Sequence, residues 1–283
     1  MTPDPWAEWL FTNRHGIESI DHLHDALIPI RDRVVDGAAI TPGDTLLDVG
    51  TGDGLIGLEA AHYVGPHGRV IFSDICLDCL DSCADMAAGL PPAVETVHTG
   101  LPDLAAIDDE SADVVTLRSV LVYVADRAGA LRNIYRVLKP GGRLSLYEPL
   151  PQAEPPGRFK GYNAAPVAAL AERVKQQLAP TPAMLAFSAE RLIEAARAAG
   201  FRTVNLQQAI RIDEQHAAPD VRGDPWEVFL SVAPHPLTPT IGEAIGAALT
   251  PVEAEAFTTH LRPLIRTGQR LIRQQSLYLQ ANR

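Results

Sequence analysis

The sequence predicts an α/β protein built on a parallel sheet, and two observations carry that expectation. From about residue 41 to residue 148, short apolar runs rich in β-branched residues alternate with segments of helical periodicity, and a glycine-rich turn joins the first run to the first helix. Runs this continuously apolar belong to strands covered by helices on both faces.

Taken in order, Leu23, Leu27, Ile30 and Val34 share one stripe, so residues 1–40 read as a helical N-terminal cap. Strands are expected at 45–49, 69–73, 94–99, 112–117 and 143–148, with helices at 55–64, 77–88 and 126–138. After Leu150 the run PQAEPPG continues neither strand nor helix, and a connector begins. A helix over 188–199 ends at Gly200 as a left-handed cap, followed by candidate strands at 203–212 and 228–232. Thr250, Pro251 and Glu253 supply an N-cap hydroxyl, a first-turn proline and a carboxylate at the third position. A helical extension over 240–283 is therefore expected to close the chain. Its stripe of Leu261, Leu264, Ile265, Leu271 and Ile272 packs inward or makes a homodimer contact. The expectation is one domain over 41–283 with helical additions at both ends.

Composition narrows the functional classes. With 283 residues, 46% hydrophobic and 21% charged, the chain has enough apolar side chains for a large core and is not a disordered one. The net charge of −11 opposes phosphate polymers and anionic bilayers, so neither a nucleic-acid nor a membrane partner is expected. There is no run of eighteen apolar residues, and MTPDPWAEWLF lacks the basic and apolar regions of a signal peptide. A cytoplasmic protein is expected. Three cysteines within eight positions do not make a disulfide framework.

The segment LLDVGTGDGLIG, residues 46–57, delivers a strand into Gly50, Thr51, Gly52, Asp53 and Gly54. Alternate glycines allow a sharp turn and the close approach of a ligand, and the helix behind them presents free N–H groups. Gly52, Gly54 and Gly57 satisfy the dinucleotide spacing G-x-G-x-x-G. The phase is wrong for a dinucleotide, however: the first glycine after the strand is Gly50, and the pattern counted from there fails at Leu55. Asp48 at the strand end would repel a pyrophosphate and attract a cation. Asp74, at the end of the next strand, suits a ribose diol in either a nucleoside or NAD.

With the turn, Asp74, ADVVTLRSVLVYV and IYRVLKPGGRLSLYEP in this order, the chain resembles the class I S-adenosylmethionine-dependent methyltransferases, in the branch acting on small molecules. The resemblance covers about residues 41–148 and implies a Rossmann-like, seven-stranded, mostly parallel sheet with a reversed last strand and helices on both faces. It implies S-adenosylmethionine as cofactor, with Asp48, Gly50, Thr51, Gly52 and Gly54 along its methionine part, Asp74 on the ribose and Ile75 on the adenine. The family often places an aspartate near the adenine amino group after the third strand. Here Leu101 stands in that place and Asp103 follows two residues later. Arg118 would meet the cofactor carboxylate or the substrate. Residues 151–187 sit where relatives insert a lid or substrate-binding element.

Methyl transfer from a sulfonium is an in-line displacement in which positioning dominates and a base matters only for a protonated acceptor. Glu148 at the end of the fifth strand, Tyr123, read as helix-borne, and His15 are the candidate catalytic groups. Arg14, Tyr162 and His235 are the candidate substrate contacts, with Phe159 and Met184 as further pocket-lining or packing residues. Cys76, Cys79 and Cys83 share one face of a helix, where small apolar residues ordinarily pack, so burial rather than a metal site is expected. The expected function is methyl transfer to an oxygen, nitrogen or carbon of a small molecule. Its rivals are an NAD-linked oxidoreductase and a protein that binds the cofactor without methylating.

Overall fold

A computed structural model of the chain describes residues 4–14 and 20–283, with side chains at 4–12 and 26–283. The strands are β1 (Thr45–Val49), β2 (Arg69–Asp74), β3 (Ala93–His98), β4 (Ala112–Arg118), β5 (Leu138–Pro149), β6 (Arg158–Phe159), β7 (Tyr162–Asn163), β8 (Thr203–Gln215) and β9 (Arg270–Asn282). The chain divides into two compact units. One comprises 26–151, 181–209 and 276–283, the other 1–25, 152–180 and 210–275.

In the first unit the strand order is β3-β2-β1-β4-β5-β9, with β8 also paired to β9. The strands from β1 to β5 are parallel neighbours, and β9 runs antiparallel to β5 with Leu146 opposite Leu279. This is the expected mostly parallel, seven-stranded sheet with a reversed strand. The strands alternate between two buried faces. Leu47, Val49, Val115, Leu117, Leu144 and Leu146 pack with the Arg127–Val137 and Ala189–Ala199 helices on one side. Leu46, Val70, Phe72 and Val114 pack with the Leu55–Val64 and Leu77–Met86 helices on the other. Asp126 caps the Arg127–Val137 helix by accepting the Gly129 N–H, and Gly200 ends the Ala189–Ala199 helix at φ 113°.

The second unit buries Phe159, Tyr162, Trp226, Phe257, Leu261 and Ile265 in a core of its own. Here β6 and β7 form a hairpin, and Tyr162 of β7 pairs with Arg270 of β9, which brings the strand total to nine rather than seven.

Two expectations about the C-terminal third are corrected. Residues 228–232 are not a strand: Asp224 caps a helix at Pro225–Ser231, with proline in its first turn. Nor does the chain close on a helix. The Thr250 capping box starts the Pro251–Thr267 helix as expected, but Gly268 ends it at φ 72°, and Leu271 and Ile272 lie on β9. Within that helix Leu261 and Ile265 face inward. No helix among the described residues is long and apolar enough to cross a membrane.

Candidate functional site

The turn after β1 is built from left-handed glycines, with φ 65° at Gly50, 54° at Gly52 and 76° at Gly54. Gly50 and Thr51 donate their N–H groups to the Ser73 carbonyl on β2, at 2.8 and 3.1 Å, which ties the turn to the neighbouring strand end. A Cβ at Gly50 would stand 2.5 Å from Val120 Cγ2, so the turn also fits closely against the segment after β4.

The two strand-end acids do different work. Asp48 is 2% exposed, and its carboxylate accepts the Thr51 hydroxyl at 2.8 Å, the Thr116 hydroxyl at 2.7 Å and the Gly57 N–H at 3.2 Å. It sits beneath the turn as a brace rather than along its surface. Burial pushes its carboxyl up to about 6, against the two hydroxyls, the Gly57 N–H and the Arg118 charge, so it is ionised at neutral pH and acts outward through its field alone. Asp74 lies at the rim, 8% exposed, accepting the Gly52 N–H at 2.9 Å and the Cys76 N–H at 3.0 Å. Beside it Ile75 is 54% exposed, and a Cβ at Gly100 would stand 2.6 Å from its Cγ2. Arg118 at the end of β4 reaches Asp53 of the turn at 3.8 Å.

Glu148 is fully buried. Its carboxylate accepts the N–H groups of Val120 at 2.9 Å, Leu121 at 2.7 Å and Val122 at 3.1 Å, while Arg127 donates to the carbonyls of Leu121 and Val122. Burial outweighs the three N–H bonds and pushes this carboxyl up to about 7. Both oxygens are engaged on the segment between β4 and the Arg127–Val137 helix, so Glu148 braces that segment instead of reaching an acceptor. Tyr123 lies in that segment, a turn rather than a helix, and is partly buried against the core. Ser119 enters it at φ 58°.

The remaining expected residues separate. Leu101 packs partly against the core and Asp103 is exposed. Tyr162 and His235 are 1% and 3% exposed in the second unit. The Tyr162 ring lies edge-on to Phe229 in the core, as does that of Phe159, and Met184 packs in the first unit. The His15 position and the Arg14 side chain lie outside the described residues. Cys76, Cys79 and Cys83 are all buried, and burial raises the thiols of Cys79 and Cys83, the latter to about 12. Cys76 caps its helix, accepting the Cys79 N–H, and Cys83 donates to the Gly52 carbonyl at 3.4 Å.

Sequence reasoning missed the support beneath the turn: Thr116, Gly57, Cys83 and Val120. One signal was present. A lone threonine in the buried strand ADVVTLR needs a hydrogen-bond partner, and the acid on the adjacent strand is the available one.

Residues 47–146 match the family model described as a methyltransferase domain. Over that stretch the chain is similar to class I S-adenosylmethionine-dependent methyltransferases. Over 116 residues it is 36% identical to the ubiquinone/menaquinone biosynthesis C-methyltransferase UbiE of Vibrio campbellii, covering 40% of this chain and 44% of that protein. Over 111 residues it is 33% identical to the arsenite methyltransferase of Halobacterium salinarum, covering 38% and 28%. The chain thus spans less than half the length of these curated relatives. Among solved structures it is similar to the geranyl diphosphate C-methyltransferase of Streptomyces coelicolor A3(2), with TM-score 0.51 and 17% identity over 93% of this chain and 82% of that one, a likeness of fold.

The residues present fit S-adenosylmethionine, the cofactor that this similarity implies. A rim carboxylate, a turn that leaves main-chain groups uncovered by side chains, and an exposed apolar side chain match a ribose, an amino-acid tail and a purine. The acids on neighbouring strand ends suit a sulfonium better than a pyrophosphate.

Proposed function

We propose that the protein transfers a methyl group from S-adenosylmethionine to an oxygen, nitrogen or carbon of a small-molecule acceptor by in-line displacement. The observation that best supports this reading is the end of β2, where Asp74 is fixed at the rim by two main-chain N–H groups and followed by the exposed Ile75. In this reading Asp74 receives the ribose hydroxyls, Ile75 and Leu101 flank the adenine with Asp103 near its edge, and Gly50, Thr51, Gly52 and Gly54 line the methionine part. Arg118, held near Asp53, faces the cofactor carboxylate.

The sulfonium supplies both the methyl group and an activated leaving group. The chain supplies position. Asp48 keeps the turn in shape through Thr51, Thr116 and Gly57 and adds negative potential under the reacting centre. Tyr123 is the side chain of the post-β4 turn assigned to the acceptor side. No general base is assigned among the buried acids, because the oxygens of Glu148 are already engaged by main-chain N–H groups.

Calorimetry of the purified chain with S-adenosylhomocysteine and with NAD tests the cofactor half of the proposal: binding of the first and not the second is expected. NAD binding alone would replace the reading with an oxidoreductase. Consumption of methyl-labelled cofactor in the presence of a metabolite extract tests the transfer half. Firm cofactor binding without transfer across broad acceptor panels would reduce the protein to a cofactor-binding one.

A further inference from the structure

The segment between β4 and the Arg127–Val137 helix is held by its main chain. Ser119 enters it in the left-handed region, at φ 58°, and donates its N–H to the Tyr147 carbonyl at 2.9 Å. A non-glycine residue in that region is strained and persists where its surroundings fix it. The next three N–H groups go to the carboxylate that follows Tyr147 on β5: Val120 and Leu121 donate to Glu148 Oε1 at 2.9 and 2.7 Å, and Val122 to Oε2 at 3.1 Å. The two after that close onto the segment itself, Tyr123 on the Val120 carbonyl at 3.0 Å and Val124 on the Leu121 carbonyl at 3.2 Å. Arg127 in turn donates to the carbonyls of Leu121 at 3.0 Å and Val122 at 3.3 Å. Glu148 and Arg127 thus grip the same two residues, one by their N–H groups and the other by their carbonyls.

This grip reaches the cofactor turn through one side chain. A Cβ at Gly50 would stand 2.5 Å from Val120 Cγ2, 3.2 Å from Cγ1 and 3.4 Å from Cβ, so the whole isopropyl group lies against the bare backbone of Gly50. Val120 is only half-buried. Its place over the glycine is therefore set less by enclosure than by its main chain, which Glu148 holds. The acid works in this way only while both of its oxygens accept, because protonation turns one acceptor into a donor that faces an N–H. Burial pushes this carboxyl up to about 7 against the Arg127 charge, so both forms are populated near neutral pH. Arg191 of the Ala189–Ala199 helix adds its charge beyond Arg127. On the strands beside β5, the apolar Leu277 of β9 stands opposite Glu148, and Arg118 of β4 pairs with Tyr147 and turns to Asp53 at 3.8 Å.

We propose that Glu148 is a positioning residue for the cofactor: by holding the main chain at 120–122 it seats Val120 on Gly50, and so sets how tightly the turn holds S-adenosylmethionine. This rests on the cofactor reading of the turn given above.

The test is calorimetry with S-adenosylhomocysteine on the wild type, Glu148→Gln, Val120→Ala and the double variant, each followed from about two pH units below neutral to about one above. Glutamine keeps one acceptor oxygen and sets an amide donor against the Val122 N–H. At the upper end of the range each single variant is expected to bind about fivefold more weakly, and the double variant no more than about twofold more weakly than either, because the two act through one contact. Wild-type affinity is expected to rise as pH passes through about 7, and Glu148→Gln to lack that rise. A change near pH 6 that all four proteins share belongs to Asp48, whose carboxyl titrates there. A substitution that only loosened the fold would lower the melting temperature and leave the rise in place. Should Glu148→Gln not fold, Val120→Ala carries the test, since its rise is expected to shrink once the contact is gone. Unchanged affinity, additive losses in the double variant, or a rise equal to that of the wild type overturns the proposal. A wild type that binds at no pH removes the cofactor reading and this proposal with it, whereas a binding wild type with unmoved variants removes this proposal alone.

Discussion

Replacing Asp48 with asparagine separates the brace beneath the turn from its charge. Two of the three groups that bond Asp48 are hydroxyls, which can turn, so an asparagine oxygen can accept from Thr51 and Gly57 while its amide donates to Thr116. The bonding survives and the ionisation disappears. In the folded chain the carboxyl titrates at about 6, above the 3.8 of an unperturbed aspartate. An acid whose folded value is raised holds its proton more firmly when folded, so its stabilising contribution is complete below the unfolded value and is lost as pH rises through the folded one. Two units correspond to about 3 kcal/mol, of which about 2 kcal/mol falls between about pH 4 and about pH 7.5. Urea unfolding of the wild type and Asp48→Asn across that range is expected to show the difference moving in favour of asparagine by that amount as pH rises. Parallel stability profiles would refute the reasoning. So would a variant that loses ground toward high pH, because the charge would then be stabilising the fold.

Gly50→Ala combines a left-handed φ with a Cβ 2.5 Å from Val120, and is expected to lower stability by about 2 kcal/mol and weaken S-adenosylhomocysteine binding in calorimetry. Asp74→Asn turns an amide toward one of two main-chain N–H donors; calorimetry should show S-adenosylhomocysteine bound about tenfold more weakly or worse, and unchanged affinity would remove Asp74 from the site. The three thiols, buried and with those of Cys79 and Cys83 raised, should react with an aromatic disulfide reagent only after denaturant is added, so rapid native labelling would contradict their packing. Tyr123→Phe is expected to leave the melting temperature nearly unchanged while altering acceptor turnover, and an unaltered turnover would take Tyr123 off the acceptor side.

The core was legible because its signals are local. Apolar runs such as LLDV and RVIF could only be buried strands, and Gly200 and Thr250 announced a helix end and a helix start that the structure contains. The last third was less legible for a physical reason. The run VFLSV has enough branched residues for a strand, but Asp224 and Pro225 ahead of it cap and preset a helix, and Trp226 finds its place in a core formed by distant segments. Leu271 and Ile272 continued a helical stripe on paper, and only the stop at Gly268 reveals that the pattern had changed. In the site, residue type identified the acids but not their orientation. Asp48 and Asp74 look alike in sequence. The partners that turn one inward and leave the other at the rim, Thr116 and Cys76, come from a different strand in one case and from the next turn in the other. The third glycine of the dinucleotide-like spacing shows the same limit. A Cβ at Gly57 would lie 2.4 Å from Phe72, so that glycine allows helix and sheet to approach closely and carries no information about the ligand.

The grip of Glu148 on the segment after β4 is a grip on the main chain. Because three N–H groups and not side chains are held, a substitution at the half-buried position 123 leaves those three bonds in place.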